Sequence, residues 1–123
     1  MTDGPIKATG AETAGAYAAV EFAAPPGDVP PPRHVHHRTT EAFYVIDGAL
    51  SIVIDDREVT ADAGSFVTVP PGVVHTFAVR GDAPARFLVI VSPPEFVGYF
   101  QEMLGLTSTA GSGPHDIELV DEG

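Results

Sequence analysis

Three histidines stand within four positions of the chain, in the stretch HVHHRTTE, and a glutamate ends that stretch. On an extended strand, side chains two positions apart share a face, so His34 and His36 point one way and His37 points the other. Glu41 lies five positions after His36, which is the wrong parity for one straight strand. A break at 38–40 is therefore needed, and it would bring Glu41 to the face that carries His34 and His36.

His75 is a fourth side chain that could join this group, because it begins an apolar strand directly after a Pro-Pro-Gly turn. Three imidazoles and a carboxylate facing an apolar interior would lose water at a cost of several kcal/mol, whereas one divalent cation would satisfy them together. Such ligands suit Fe, Mn, Ni, Co, Cu and Zn alike. The alternative is that the histidines bond to backbone groups or face solvent. For His37 and His115 we expect a solvated position or a role in supporting the ligands rather than metal ligation. The predicted metal ligands are His34, His36, Glu41 and His75.

Composition limits both the architecture and the partners of this chain. Its 123 residues, 44 % of them hydrophobic, suffice for one compact domain. A net charge of -11 disfavours nucleic acid and anionic membrane surfaces as partners. The absence of cysteine excludes disulfides, thiolate ligands and thiol nucleophiles. No signal peptide or membrane-spanning stretch is apparent, so we expect a cytoplasmic location.

The sequence predicts that short strands position the histidines. Segments rich in Val, Ile, Phe and Tyr alternate in polarity between Gly and Pro punctuation, which predicts an all-β barrel that can hold one small ligand. The predicted strands are 17–22, 33–37, 41–46, 49–54, 57–60, 65–69, 74–79 and 85–92.

Turn and end signals complete this prediction. Asp47-Gly48 and Asp55-Asp56 each suit a two-residue hairpin, and Pro70-Pro71-Gly72 suits a turn with a positive φ at glycine. Apolar residues at helical spacing predict one short C-terminal helix at about 94–104. We expect a flexible segment 1–14, a domain at 15–106 and a flexible acidic tail at 107–123, although Ile117, Leu119 and Val120 could add an edge strand.

The histidine motifs resemble those of the cupin family. The first family motif, G-x5-H-x-H-x3,4-E-x6-G, is similar to Gly27 through Gly48, except that six residues rather than five precede His34. The second, G-x5-P-x-G-x2-H-x3-N, is similar to Gly64 through Val79, where valine replaces the final asparagine. The resemblance covers about 17–92 and implies a double-stranded β-helix (jelly-roll) barrel, one divalent metal ion on the four predicted ligands, and a homodimer.

Among cupins, the chain most resembles the quercetin-dioxygenase-like and polyketide-cyclase-like single-domain members, which implies a small-molecule substrate. We expect a dioxygenase-like oxygenase acting on an aromatic or enolic compound. The alternatives are a non-redox cyclase or isomerase and a non-catalytic small-molecule-binding protein. Glu41 would ligate the metal or act as the catalytic base, since a carboxylate in a dry cavity can have its pKa raised. The expected substrate pocket comprises Phe43, Phe77 and Val79, with Phe66 or Phe87 as further stacking candidates.

Overall fold

The computed structural model describes residues 4–96 and 116–120, and the regular structure in this part of the chain is nearly all short strands. No helix among the described residues is long and apolar enough to cross a membrane. The strands are β1 (Ile6–Ala8), β2 (Ala18–Ala24), β3 (His34–Val35), β4 (Thr40–Asp47), β5 (Ala49–Ile54), β6 (Arg57–Asp62), β7 (Phe66–Val69), β8 (His75–Val79), β9 (Ala85–Ser92) and β10 (Glu118–Leu119).

The strands form two five-stranded antiparallel sheets that face each other. One has the order β1-β2-β9-β4-β7 and the other the order β10-β3-β8-β5-β6. Alternation sends every second side chain into the space between them, as in β9, where Ala85, Phe87, Val89 and Val91 are buried. Phe43, Val45, Leu50 and Ile52 join the same core. This arrangement confirms the predicted all-β, double-stranded β-helix architecture.

The connection at Asp47-Gly48 differs from the predicted hairpin. β4 and β5 lie in different sheets, so the two residues form a corner rather than a turn between paired strands. Gly48 adopts a φ of 77°, and a Cβ there would lie 2.5 Å from the carbonyl oxygen of Pro84. The glycine is needed because the chain passes this close to a neighbouring loop in a left-handed conformation.

The other two turns form where the sequence predicts them. Asp55-Asp56 closes a hairpin in which Ile54 of β5 lies opposite Arg57 of β6. At the Pro-Pro-Gly turn, Gly72 has a φ of 84° and its N–H donates to the carbonyl of His36 at 2.7 Å. This second turn therefore connects the loop before β8 to one of the predicted metal ligands.

The chain ends contain more regular structure than their composition suggests. β1, within the segment expected to be flexible, pairs with β2. β10, which contains Leu119, pairs with β3. Of the predicted helix at 94–104, Pro94–Phe96 form a 3-10 turn whose Phe96 is buried, and 97–104 lie outside the described residues.

Candidate metal centre

The four predicted ligands converge at one end of the barrel. β3 and β8 are paired with His34 directly opposite His75. His36 follows β3, and Glu41 enters from the start of β4 in the facing sheet. All four side chains are buried, and their ligand atoms lie within 4.8 Å of one another. The sequence-predicted group is thus brought together in full.

The break that the parity argument requires lies between β3 and β4. β3 ends at Val35 and β4 begins at Thr40, so the chain turns between the last histidine of the group and Glu41. His37 lies in this turn with a largely exposed side chain, and its Nε2 is 2.7 Å from a Glu118 carboxylate oxygen. As its parity predicts, His37 is not one of the converging side chains.

Backbone carbonyls fix the tautomer of all three buried imidazoles. A carbonyl oxygen can only accept, so the ring nitrogen facing it must carry a proton, and in the neutral imidazole the other nitrogen then presents a lone pair. The Nδ1 donors and their acceptors are His34 to Pro32 (2.7 Å), His36 to Asp116 (2.6 Å) and His75 to Val73 (3.0 Å). Each Nε2 is therefore left as a potential metal ligand.

These lone pairs face a carboxylate rather than a donor. Glu41 Oε1 lies 2.8 Å from His75 Nε2 and 3.3 Å from His36 Nε2. Among the described residues, the buried Nε2 of His36 has no hydrogen-bond partner, because the 3.3 Å contact lacks hydrogen-bond geometry. Acceptors held this close need a cation between them, either a proton or a metal ion. The donor set and its orientation therefore fit a divalent metal ion.

The pKa shifts at the centre reflect burial and the contact between the Glu41 carboxylate and the buried imidazoles. Burial raises the pKa of the Glu41 carboxyl, but the contacts with His36 and His75 lower it by more, to about 2. Burial lowers the pKa of His36, whereas the contacts with Glu41 and Asp116 together raise it by more. Burial lowers the pKa of His34. The expectation that a dry cavity raises the pKa of Glu41 is wrong, because the imidazoles outweigh desolvation.

A cavity of about 310 Å³ adjoins the centre, large enough for a small organic molecule. Its walls are aromatic and aliphatic, and no lysine or arginine is among the described residues that line it. The lining residues are Phe22, Ala23, Ala24, Asp28, Val29, Pro31, Pro32, His34, His36, Glu41, Phe77, Phe87, Val89, Phe96, Ile117 and Leu119.

The aromatic residues predicted for the pocket take different positions. Phe77 and Phe87 line the cavity, with ring centroids 5.7 Å apart. Phe43 is fully buried behind them and packs against Phe77 at 5.2 Å. Val79 packs on the core and does not line the cavity, and Phe66 is exposed on the outer face of its sheet. Of the residues predicted for the pocket, Phe77 and Phe87 line the cavity, whereas Phe43, Val79 and Phe66 do not.

Sequence reasoning missed several residues that complete the site. Phe22 reaches the cavity from β2 and stacks on Phe87 at 5.7 Å, and Phe96 meets the ring of His36 at 4.5 Å. The strand alternation of VEF could have indicated Phe22. Asp116 carries no local signal at all, because its partners lie almost eighty positions earlier in the chain.

Comparison with known proteins agrees with this architecture. A quercetin 2,3-dioxygenase from Bacillus subtilis (strain 168) is 32 % identical over 70 residues, covering 57 % of this chain and 20 % of that enzyme. The solved structure of a sugar phosphate isomerase from a cupin superfamily, from Silicibacter pomeroyi, is 27 % identical with a TM-score of 0.59, covering 74 % of this chain and 66 % of that one. A cupin protein from Bacteroides fragilis is 20 % identical with a TM-score of 0.62, covering 74 % and 78 %.

The chain spans about a third or less of the length of several curated relatives that it matches. The alignments cover 19 % to 35 % of the lengths of five curated relatives, the Bacillus enzyme among them. The family model, however, matches residues 20–91, which contain both histidine motifs and most of the two sheets. That model is described as the cupin domain. With the two facing sheets and the buried His-His-Glu-His group, this match shows that the chain belongs to the cupin family.

Proposed function

We propose that this cupin binds one divalent metal ion and acts as a metal-dependent enzyme on a small, largely apolar substrate. The observation that carries the proposal is the orientation of the three imidazoles, whose Nδ1–H groups are bonded to carbonyls and whose Nε2 atoms converge on one carboxylate. A protein that used these histidines only for packing would gain nothing by holding their lone pairs together. The proposed ligands are His34, His36, Glu41 and His75.

The cavity walls favour an uncharged or enolic aromatic substrate. Three phenylalanines of the lining, Phe22, Phe77 and Phe87, form a contiguous aromatic surface. No lysine or arginine among the described lining residues can pair with a phosphate, which disfavours a phosphorylated sugar. Asp28 adds negative charge and disfavours anions further. An enol oxygen directed at the metal would be the main polar contact of such a substrate.

The chain's own residues would bind, orient and desolvate the substrate. The aromatic surface would hold a planar ring, and the apolar walls would exclude water from the centre. Glu41, whose pKa is lowered by the adjacent His36 and His75, would serve as an anionic metal ligand, and a carboxylate that left the metal would be placed to take the substrate's proton. A bound divalent metal supplies Lewis-acid polarisation of a substrate oxygen, and a redox-active one also supplies electron transfer.

We favour a dioxygenase-like reaction, which the similarity to the quercetin dioxygenase supports. A non-redox cyclisation or isomerisation of an enolisable carbonyl compound is the second candidate. The structural similarity to a sugar phosphate isomerase supports that candidate, because an isomerisation needs no oxygen. The two reactions differ in their metal and oxygen requirements, so one set of assays separates them.

The experiment begins with protein purified without a histidine tag, whose metal content is measured and then removed. The metal-free protein is reloaded separately with Fe, Mn, Ni, Co, Cu and Zn and assayed with flavonol and β-diketone probes, with and without oxygen. We expect oxygen consumption with redox-active metals and none with Zn. Turnover with Zn, or without oxygen, would establish the second candidate instead.

Two further outcomes would reject an enzymatic role. Metal and probe binding without turnover of either probe under any condition would indicate a binding protein, and a failure to bind any metal would remove the basis of the whole proposal. His75→Ala should abolish turnover by removing a ligand. Asp82→Ala is the control, because its exposed side chain lies in the β8–β9 loop, outside the group.

We also propose that two copies of the chain pair through the outer face of the first sheet. Leu88, Tyr44 and Phe66 are register partners across β9, β4 and β7, so their side chains form an apolar row on one face. Tyr44 on β4 and Phe66 on the edge strand β7 are 39 % and 59 % exposed, so two neighbouring aromatic rings face away from the core. Covering this row in a homodimer would bury both rings.

A further inference from the structure

We propose that Asp116 is a positioning residue of the metal centre, through which the segment 116–120 sets the orientation of His36 and the approach of Glu41. The proposal rests on the proposed metal binding. It assigns to one residue, near the end of the chain, control over two of the four ligands.

The first step is the backbone carbonyl of Asp116. It accepts the Nδ1–H of His36 at 2.6 Å, the shortest of the three imidazole-to-carbonyl bonds. The other two imidazoles bond to carbonyls two residues earlier in their own segments, so their orientation is set locally. The orientation of His36 depends instead on a residue eighty positions away. If this carbonyl moves, His36 can exchange tautomers and lose the Nε2 lone pair it directs at the centre.

The second step is the carboxylate of the same residue. Its Oδ1 accepts the N–H of His37 at 2.8 Å, and its Oδ2 accepts the N–H of Arg38 and the Oγ1–H of Thr39, each at 2.7 Å. These three bonds hold the turn between β3 and β4. That turn corrects the parity between His36 and Glu41, so the carboxylate supports the path that brings Glu41 into the group.

The third step is the attachment of the segment beside the centre. β10 pairs with β3, with Leu119 opposite His34, and the N–H of Val120 donates to the carbonyl of Arg33 at 2.8 Å. Ile117 and Leu119 line the cavity. The segment is thus attached to β3 on the C-terminal side of Asp116, and two of its five residues form part of the cavity wall.

The test compares Asp116→Asn with the wild-type full chain. The amide retains one acceptor oxygen but replaces the other with an NH₂ group, which cannot accept from Arg38 or Thr39. We expect the Kd for Co²⁺ to rise about ten- to a hundred-fold, as for other supporting partners of metal ligands. The visible spectrum of bound Co²⁺ should change, because the ligand geometry changes. Asp82→Asn, the same chemical change in the exposed β8–β9 loop, should leave both unaltered.

Thr39 provides a second and milder variant in case Asp116→Asn fails to fold. Thr39→Val removes one hydrogen bond to the carboxylate, and we expect a several-fold rise in the Co²⁺ Kd. Thr39→Ser keeps the hydroxyl and should restore wild-type affinity. If these side chains only stabilised the fold, the variants would have a lower Tm, but the folded protein would bind Co²⁺ with unchanged affinity and spectrum. That result would overturn the proposal.

A metal-independent measurement separates this inference from the proposed function. Imidazole ¹H–¹⁵N spectra of the metal-free protein, recorded at alkaline pH where His36 is neutral, should show His36 as a single Nδ1–H tautomer in the wild type and as a mixture in Asp116→Asn. If wild-type protein bound no metal but the tautomer shifted in this way, positioning of His36 would stand while the proposed function failed. An unchanged His36 signal in Asp116→Asn would contradict the positioning role directly.

Discussion

At the residue scale, the centre is defined by which nitrogen of each histidine is protonated. Strand parity predicts from the sequence that His34 and His36 share a face and that His37 does not. It cannot predict the three carbonyls that accept the Nδ1–H groups, because a backbone acceptor has no sequence signature. The same limit applies to Asp116, whose position depends on how the chain returns to the barrel.

The opposed charges at the centre predict a stability maximum in mildly acidic solution for the metal-free protein. The pKa of Glu41 is depressed from 4.5 to about 2, so its stabilisation is present above pH 4.5 and lost as the pH falls toward 2. The pKa of His36 is raised above 6.5, so its stabilisation is present below pH 6.5 and lost as the pH rises. We expect the highest Tm between these two values.

Glu41→Gln tests the acidic side of this profile, because the amide does not titrate. The shift of Glu41 corresponds to about 3 kcal/mol of pH-dependent stability, so the variant should lose most of the decline between pH 4.5 and 2. Urea unfolding at several pH values measures this. An identical acid profile in wild type and variant would show that the Glu41 contacts do not contribute.

Phe43 and Phe77 should have different roles although they are in contact. Phe43 is fully buried between the sheets, so Phe43→Ala should lower the free energy of unfolding by about 3–5 kcal/mol. Phe77 lines the cavity, so Phe77→Ala should cost less stability and weaken binding of a flavonol probe. Urea unfolding and probe titration measure the two effects. Equal stability losses with unchanged probe binding would contradict this assignment.

At the element scale, the alternation of polar and apolar residues predicts the eight central strands close to their observed positions, because the longer strands, such as β9, bury every second side chain in the same core. The Asp47-Gly48 hairpin was wrong for a physical reason. An Asp-Gly pair indicates a reversal with positive φ, but it does not determine whether the flanking strands pair with each other or enter opposite sheets. That choice depends on long-range pairing of β4 with β7 and β9, and of β5 with β6 and β8.

The corner at Gly48 should therefore be intolerant of any side chain. Gly48→Ala would combine a positive φ with a Cβ 2.5 Å from the Pro84 carbonyl oxygen. Gly81→Ala is the matched control, because Gly81 has a φ of 88° and nothing within 4 Å of an added Cβ. We expect about 1–2 kcal/mol of destabilisation for the control and clearly more at Gly48. Equal losses in urea unfolding would show that the close approach at the corner costs nothing.

At the scale of the whole molecule, two facing sheets and the returning segment 116–120 together enclose one cavity beside one buried polar group. The sequence predicts the sheets and the polar group, because both depend on local patterns. It predicts the cavity wall poorly, because residues as distant as Phe22 and Ile117 meet there only once the barrel has closed.

Formation of the proposed homodimer should become more favourable as the salt concentration rises. Each chain carries a net charge of -11, so two copies repel each other until that charge is screened. We expect light scattering to show a larger dimer fraction at high ionic strength, and Phe66→Ser to reduce it at least several-fold. Tyr17→Ser, an exposed aromatic residue preceding β2, is the control. A monomer at every salt concentration, or equal effects of the two variants, would exclude pairing through this face.

The most direct test of the account is anomalous diffraction from crystals of the untagged protein loaded with Mn²⁺ or Zn²⁺. We predict one strong anomalous peak per chain, within bonding distance of Nε2 of His34, His36 and His75 and of a Glu41 carboxylate oxygen. The absence of a peak there in metal-loaded crystals, or a peak bonded to Nδ1 or to other residues, would contradict the central claim that these four side chains hold one metal ion.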